Sequence, residues 1–153
     1  MNVAIASDHG GFLLKEALKK ELSGQVSMTD FGCDSEASVD YPDYAKQVAE
    51  RVATGEFDRG ILLCGTGIGM CIAANKVPGI RAATVHDLFS AEATRAHNDS
   101  NILTMGGRVI SEQQAVEIAK VWLLTPYEGG RHARRLEKIR DLEEAYAAGA
   151  HQE

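Results

Sequence analysis

The sequence predicts an α/β fold, with a parallel β-sheet covered by helices on both faces. Short apolar runs alternate with segments whose apolar residues recur at helical spacing, which is typical of such a sheet. Glycine-rich or polar turns follow several of the apolar runs, so that helices can begin where strands end. The chain has 153 residues, enough for one domain with a real core, and residues 1–146 are predicted to form it.

Two strands and two helices are predicted before the glycine-rich segment. Residues 3–6 form the first apolar run, and a second strand is predicted near residues 26–31. The helix between them is marked by apolar residues three or four apart, at Leu14, Ala17, Leu18 and Leu22. The next helix is predicted to open at Asp40-Tyr41-Pro42, because proline is tolerated in a first turn. Its apolar face consists of Ala45, Val48, Ala49 and Val52.

Three more strands are predicted at residues 60–64, 80–85 and 102–105. A helix is predicted after the glycines that follow Cys64, and Asp87 is predicted to cap another that carries Ala91, Ala93 and Thr94. A further helix is marked by Ala115, Ile118, Ala119 and Trp122. The last helix is predicted from about residue 131 to about residue 147, and residues 147–153 are expected to be a frayed tail.

Composition excludes several classes of protein. The formal net charge of −6 argues against a protein that binds nucleic acid through general electrostatics. No basic leader opens the chain and no segment is long enough to span a membrane, so a cytoplasmic protein without membrane contact is expected. Cys33, Cys64 and Cys71 are odd in number and lack CxxC spacing, which favours reduced thiols. Cys71 is expected to pack inside a helix, and Cys33 lies in a polar loop without an evident partner.

Cys64 is the strongest candidate for chemistry, because it ends a buried strand beside Gly65, Gly67 and Gly69. Free backbone N–H groups and the positive end of a helix dipole collect at such a turn. They can hold an anion and can also lower the pKa of a thiol. The spacing is neither a Walker A loop nor GxGxxG, and a purely structural turn remains the alternative.

Three further clusters could act with this loop. Asp8-His9-Gly10-Gly11 ends the first strand, so its donors are expected to face the same crevice as Cys64, or Asp8 simply caps a helix. His97 lies near a helix end, where it could take part in acid–base chemistry or could simply interact favourably with the helix dipole. Arg131 and Arg135 share one face of the last helix and could bind phosphate, unless Glu137, Glu143 and Glu144 pair with them.

The histidines at positions 9, 86, 97, 132 and 151 lack metal-ligand spacing, so no metal site and no cofactor is predicted.

Together these clusters resemble the ribose-5-phosphate isomerase B family, which includes the galactose-6-phosphate isomerase subunits. The resemblance runs from about Asn2 to about Tyr146. It includes Ser7-Asp8-His9-Gly10-Gly11, Asp40-Tyr41-Pro42, the loop from Cys64 to Gly69, His97-Asn98-Asp99-Ser100-Asn101, Gly106-Gly107-Arg108 and Glu128-Gly129-Gly130-Arg131-His132. It implies a three-layer α/β/α Rossmann-like sandwich with a five-stranded parallel sheet. It also implies a homodimer or tetramer in which each active site is shared between two subunits.

The resemblance implies a role for each matching position. Cys64 resembles the base that moves a proton between C2 and C1 of the open-chain sugar, with Thr66 beside it, and His97 resembles the residue that opens the ring. Asp8 and Tyr41 resemble contacts near the ring, and Asn98 and the loop of Gly65, Gly67, Ile68 and Gly69 resemble holders of the hydroxyls and the enediolate. The phosphate ligands would be His9, Arg131 and Arg135, with Arg108 and His132 as helpers, and the C-terminal arginines would reach the neighbouring subunit's site.

The expected activity is therefore a metal-free aldose–ketose isomerisation of a phosphorylated sugar, ribose 5-phosphate to ribulose 5-phosphate. Allose 6-phosphate, galactose 6-phosphate or a four-carbon phosphate are alternatives that the same catalytic residues would serve. A non-catalytic phosphosugar or nucleotide sensor would keep the arginines but would need neither Cys64 nor His97. A redox-thiol protein is disfavoured, because no resolving cysteine is adjacent to Cys64.

Overall fold

A computed structural model describes residues 1–147 of the chain. Within these residues the strands are β1 (Asn2–Ser7), β2 (Ser27–Asp30), β3 (Arg59–Cys64), β4 (Ala82–Thr84) and β5 (Ile102–Gly106). The helices are α1 (Phe12–Glu21), α2 (Tyr41–Ala53), α3 (Ile68–Ala74), α4 (Leu88–Ala96), α5 (Glu112–Leu124) and α6 (Arg131–Ala147). The predicted order of elements is confirmed. The expected tail lies, from residue 148 onward, outside the described residues.

The five strands form one sheet in the order β2-β1-β3-β5-β4, and every neighbouring pair is parallel. The chain moves outward from β1 to β2 and then crosses to β3 on the other side of β1. A topological switch point therefore lies between β1 and β3, where parallel α/β sheets open a crevice at their carboxyl ends. Cys64 ends β3 at this edge, as predicted.

Helices cover both faces of the sheet, which confirms the predicted three-layer sandwich. One apolar cluster joins the sheet to α1, α4 and α5, and a second joins the opposite face to α2 and α3. The apolar positions expected on α2 are all buried, as are those expected on α5. In the α5 layer Trp122 is fully buried, and its indole N–H donates to the hydroxyl of Ser100 at 2.9 Å. None of the helices within residues 1–147 has the length and apolar composition needed to cross a membrane.

Local chemistry explains most of the helix starts, and two boundaries differ from the prediction. The Asp87 carboxylate accepts from the Ser90 amide at 2.7 Å and caps α4, as expected. Strand β4 covers three residues rather than six. Helix α3 begins at Ile68, inside the glycine segment rather than after it. The reason is that the left-handed conformation needed to enter the helix is adopted by Gly67, with φ of 79°, so Gly69 already lies in the first turn.

A buried lysine ties α1 to the loop after β2. The Lys15 side chain is 1% exposed, and its ammonium lies 2.9 Å from the Asp30 carboxylate. It also donates to the carbonyl of Cys33, which is buried, and the thiol of Cys33 lies 3.2 Å from the carbonyl oxygen of Ser35. Cys33 lies in a loop, as expected, but the expectation that it has no partner is wrong. Burial opposes the charge on Asp30, but hydrogen bonds from Lys19 and Lys15 outweigh it, so the pKa of Asp30 is lowered.

Replacing Asp30 by asparagine removes the carboxylate that neutralises the buried Lys15 ammonium. We expect Asp30→Asn to lower the free energy of unfolding at pH 7 by about 2–4 kcal/mol, because a buried charge loses its partner. The folded pKa of Asp30 is below its ordinary value of 3.8, so this stabilisation is complete above pH 3.8 and is lost as the pH falls through the folded value. Urea unfolding at pH 7 and at acid pH measures both effects. Glu92→Gln, on an exposed part of α4, is the control. A difference between wild type and Asp30→Asn that persists unchanged at low pH would contradict this account.

Candidate active site

The thiol of Cys64 lies at the carboxyl end of β3 and is held by the backbone of the loop that follows. The residue is 4% exposed, and the amide N–H of Gly67 donates to its sulfur at 3.1 Å. A backbone N–H donor beside sulfur stabilises negative charge on it, as a base derived from a thiol requires. The predicted meeting of a thiol with loop N–H groups is thus present in the structure.

The glycines of this loop are required by close contacts on three sides. A Cβ atom on Gly67 would lie 2.8 Å from the backbone of Met105, and φ at this position is 79°. A Cβ on Gly65 would lie 3.0 Å from the guanidinium of Arg108, and one on Gly69 would lie 2.7 Å from the ring of Tyr41. These contacts place Arg108 and Tyr41 directly over the loop. The hydroxyl of Thr66, beside them, accepts from the Ile68 amide at 3.2 Å.

The loop after β1 packs against the glycine loop, as the sequence predicted. A Cβ on Gly10 would lie 2.8 Å from the amide nitrogen of Gly65. The buried carboxylate of Asp8 accepts from the amides of Gly10 at 2.8 Å and Gly11 at 3.2 Å. These two N–H groups are therefore used by Asp8, and the expectation that they face the crevice as free donors is wrong. His9 is oriented by the Val39 amide, which donates to its Nδ1 at 3.2 Å.

A second group of predicted site residues lies at the opposite, amino-terminal edge of the sheet. Helix α4 runs back from the carboxyl edge, so His97 and Asn98 stand shortly before β5 begins. A hydrogen bond confirms that this segment lies at the amino-terminal edge. The Gly60 amide, near the start of β3, donates to the Asn101 carbonyl at 2.9 Å. Gly60 pairs with Ile102, whereas Cys64 pairs with Gly106. Four strand residues of about 3.3 Å each put roughly 13 Å between the two edges.

The segment before α6 joins His97 at this edge. The Glu128 amide donates to the Ala96 carbonyl at 3.1 Å, which brings the segment beside the end of α4. The rings of His97 and His132 stack with centroids 4.3 Å apart and an interplanar angle of 15°. His132 Nε2 also lies 3.4 Å from the Glu128 carboxylate. These contacts hold His97 in a defined orientation.

His97, Glu128 and His132 also form a group whose ligand atoms lie within 4.8 Å of one another. The prediction that the histidines lack metal-ligand spacing is therefore wrong for His132, which follows Glu128 by four residues. In nearly parallel rings, however, the in-plane lone pairs run side by side and do not converge on one ion. Arg131, Arg134 and Arg135 stand on the adjoining helix, and positive charges favour an anion over a cation.

The C-terminal arginines are exposed and are not neutralised by the acids of their own helix. Glu137 and Glu144 lie 3.4 Å and 3.9 Å from Arg140, and Glu143 accepts from the Gly79 amide. The alternative that these three acids pair with Arg131 and Arg135 is thus not what the structure shows. Among the described residues, the Arg135 guanidinium contacts only the Arg131 carbonyl of the preceding turn, at 3.3 Å. Both guanidinium groups are open to a ligand from outside the subunit.

The predicted site residues therefore fall into two sets. The carboxyl-edge set gathers at the ends of β1, β3 and β5 and comprises Asp8, His9, Tyr41, Cys64, Gly65, Thr66, Gly67, Ile68, Gly69 and Arg108. The amino-edge set gathers around the end of α4 and the start of α6 and comprises His97, Asn98, Arg131, His132 and Arg135. One chain does not bring the two sets together.

Sequence reasoning missed His86, which stands just after β4. Its Nε2 accepts from the Gly106 amide at 3.0 Å, and burial, partly opposed by Asp87, lowers its pKa. Its position at a strand's carboxyl end was the available signal, because Asp8 and Cys64 occupy equivalent positions on their strands.

Several known proteins are similar in sequence to nearly the whole chain. A Bacillus subtilis protein provisionally named a sugar phosphate isomerase is 60% identical, covering 94% of this chain and 98% of its own. Ribose-5-phosphate isomerase B of Escherichia coli is 47% identical, covering 93% of this chain and 96% of its own. The D-erythrulose-4-phosphate isomerase of Pectobacterium atrosepticum is 43% identical, covering 91% of this chain and 93% of its own.

The fold is also that of solved structures. Ribose-5-phosphate isomerase B of Clostridium thermocellum superposes with a TM-score of 0.94 at 48% identity, covering 95% of this chain and 99% of that chain. The ribose/galactose isomerase family matches residues 3–139, which include the glycine loop and both sets of predicted site residues. On these grounds the chain belongs to the ribose/galactose isomerase family.

Proposed function

We propose that this protein is an aldose–ketose isomerase that interconverts ribose 5-phosphate and ribulose 5-phosphate without a cofactor. The observation that carries the proposal is the Cys64 sulfur held by the Gly67 amide at the switch point of the sheet. Relatives named for ribose 5-phosphate support the choice of sugar. Three free cysteines, one of them the proposed base, fit a protein that works in the reducing cytoplasm.

The reaction needs a base, a stabilised oxyanion and a way to hold the substrate. The Cys64 thiolate removes the proton from C2 of the open-chain aldose, and the carbonyl oxygen at C1 takes up the negative charge. The hydroxyl proton moves from the oxygen on C2 to the oxygen on C1, and the thiol returns its proton to C1, which leaves a ketose. Backbone N–H groups of the glycine loop stabilise the enediolate, an effect that reaches several kcal/mol in such sites.

A phosphate held away from the reacting carbons supplies binding energy that orients them. In this subunit His9 and Arg108 are the phosphate ligands at the carboxyl edge. Arg131 and Arg135 carry the forked donors that phosphate favours, but they lie at the amino edge with His97. The ring-opening residue and these arginines must therefore come from another chain.

We propose that the second chain is another copy of this protein, placed so that its amino-edge set faces the Cys64 loop. Helix α6 supports this arrangement, because none of its residues is buried in its own chain. It exposes Ile139 and Leu142, which are 49% and 61% accessible. An isologous dimer would cover these residues and complete two equivalent sites, and a tetramer would be a pair of such dimers.

A four-carbon substrate is the second candidate, because one relative is named for D-erythrulose 4-phosphate. The residues around the sugar, Asp8, Tyr41 and Gly67, would decide between the two. The test is turnover across a panel of four-, five- and six-carbon sugar phosphates with a chelator present. Ribose 5-phosphate should give the highest kcat/KM. Turnover of none of these sugars would contradict the proposed activity.

Replacing Cys64 by serine tests the base. We expect Cys64→Ser to lower kcat by about 1,000-fold or more, because an alcohol is a far weaker base at neutral pH, while substrate binding stays within a few-fold. Turnover and calorimetric binding of the substrate measure the two quantities. A sensor would have no turnover to lose, and an unchanged kcat would remove Cys64 from the mechanism.

Replacing Arg135 by alanine tests the phosphate ligand on α6. We expect Arg135→Ala to raise KM for phosphorylated sugars by about 10-fold or more, with a smaller change in kcat. Arg140→Ala, on the same helix but engaged with Glu137 and Glu144, is the matched control and should change neither constant. Equal effects of the two substitutions would refute a specific role for Arg135.

Mixed dimers test whether His97 and Cys64 of one site belong to different chains. Cys64→Ser and His97→Ala are each expected to be inactive, but their co-expression should restore about a quarter of wild-type activity. Half of the randomly formed dimers are mixed, and one of the two sites in each mixed dimer is intact.

The matched control is co-expression of Cys64→Ser with Arg108→Ala, both of which alter the carboxyl edge. Because each chain then brings a defective carboxyl edge, activity should stay at the level of Arg108→Ala sites alone. No recovery in the pair of Cys64→Ser and His97→Ala, with mixed dimers verified by two affinity tags, would show that both residues act within one chain.

A further inference from the structure

His86 occupies a position in the site that the proposed mechanism does not use. It follows β4 at the carboxyl edge of the sheet, and its Nε2 lies 3.0 Å from the amide nitrogen of Gly106, the last residue of β5. An amide N–H is a donor only, so Nε2 must carry its lone pair, and the proton of the neutral ring is on Nδ1. The bond therefore exists only while His86 is uncharged.

Gly106 is the direct support of the cysteine loop. It pairs with Cys64 across β3 and β5, and a Cβ atom on it would lie 2.6 Å from the carbonyl carbon of Thr66. The next two residues continue the contact, since the Gly107 amide donates to the Cys64 carbonyl at 2.8 Å and the Arg108 amide to the Gly65 carbonyl at 3.0 Å. A shift of Gly106 would therefore move the backbone that carries both the thiol and the loop donors.

The end of β4 touches the same loop from the other side. The hydroxyl of Thr84 lies 2.9 Å from that of Thr104 and 3.4 Å from the Gly67 carbonyl oxygen. The Val85 amide makes the last bond to β5, to the Thr104 carbonyl at 3.0 Å. Beyond this bond, within residues 1–147, the end of β4 is joined to Gly106 by the hydrogen bond to the His86 imidazole.

We propose that neutral His86 is a positioning residue, which fixes the end of β5 and through it the Cys64 loop in the geometry needed for proton transfer. The inference rests on the proposed isomerase function for its kinetic consequence, but its structural part does not. Protonation would place an N–H opposite the Gly106 N–H, so the bond would be lost and two donors would face each other.

The surroundings of His86 determine the pH at which its imidazole is protonated. Burial lowers its pKa below the ordinary value of 6.5, and Asp87, at the start of α4, acts in the opposite direction. Glu92 and Arg95 lie further along α4, and Arg108, just after β5, and Cys64, at the end of β3, lie at the same edge of the sheet as His86. The neutral form thus persists at neutral pH, and the support is withdrawn as the pH falls through the lowered pKa.

Three substitutions separate the hydrogen bond from the bulk of the ring. Gln can place its side-chain oxygen near the position of Nε2, whereas Asn ends near the position of Nδ1 and Ala has no acceptor. We expect His86→Ala and His86→Asn to lower kcat by about 10-fold or more with a smaller change in KM, and His86→Gln to stay within about threefold of wild type.

A spectroscopic measurement provides a readout that a merely space-filling role would not change. In protein labelled with ¹⁵N-glycine and ¹⁵N-histidine, the Gly106 amide resonance should titrate together with the His86 ring below pH 6.5. In His86→Gln the Gly106 resonance should be independent of pH in this range. The alkylation rate of Cys64 by iodoacetamide, compared at one pH among the folded variants, reports the loop without any substrate.

The outcomes distinguish this inference from the proposed function. If wild type turns over no sugar phosphate but Gly106 titrates with His86 and the alkylation rate differs in His86→Ala, then the function fails and the positioning role stands. A Gly106 resonance that ignores His86 titration overturns the positioning role. A His86→Ala variant that folds with wild-type kcat and wild-type alkylation overturns it as well.

Discussion

The hydrogen bond from the Gly67 amide to the Cys64 sulfur is the interaction on which the carboxyl edge depends. It requires the chain to reverse direction within three residues of the strand end. Gly67 makes this possible through a φ of 79° and through the absence of a side chain against Met105. The same turn starts α3, so the thiol, the loop donors and the helix are fixed by one local conformation.

The parallel sheet determines what else can approach this thiol. Strand carboxyl ends meet at one edge, so Asp8, Cys64 and Arg108 gather there although they are distant in sequence. Each returning helix carries the chain to the other edge, and this is why His97 and Arg131 are found together and away from Cys64. The division of the predicted site into two sets is a consequence of regular βα alternation.

Much of this arrangement could be predicted from the sequence. Apolar periodicity located the strands and helices, and the position of Cys64 at a strand end beside glycines indicated the crevice at the carboxyl edge of the sheet. The start of α3 was misplaced because the glycines suggest a turn, whereas only one of them takes the left-handed conformation. The partners of Cys33 were missed because its buried position depends on Lys15, a residue that composition alone assigns to the surface.

The site itself was harder to predict than the fold. The family resemblance indicated shared sites, but it did not show that His97 lies with the arginines at the amino edge, away from Cys64. That conclusion needs the strand order and the direction of α4. The stacked rings of His97 and His132, and the carboxylate of Glu128 beside them, are tertiary contacts between separate segments, for which periodicity gives no signal.

The placement of the two sets on opposite edges has a consequence for how turnover depends on the amount of protein. Under the proposed assembly, an isolated folded subunit is catalytically silent, and the rate per subunit falls on dilution below the dissociation constant of the dimer. A newly synthesised chain would then gain activity only after it meets and binds a second copy.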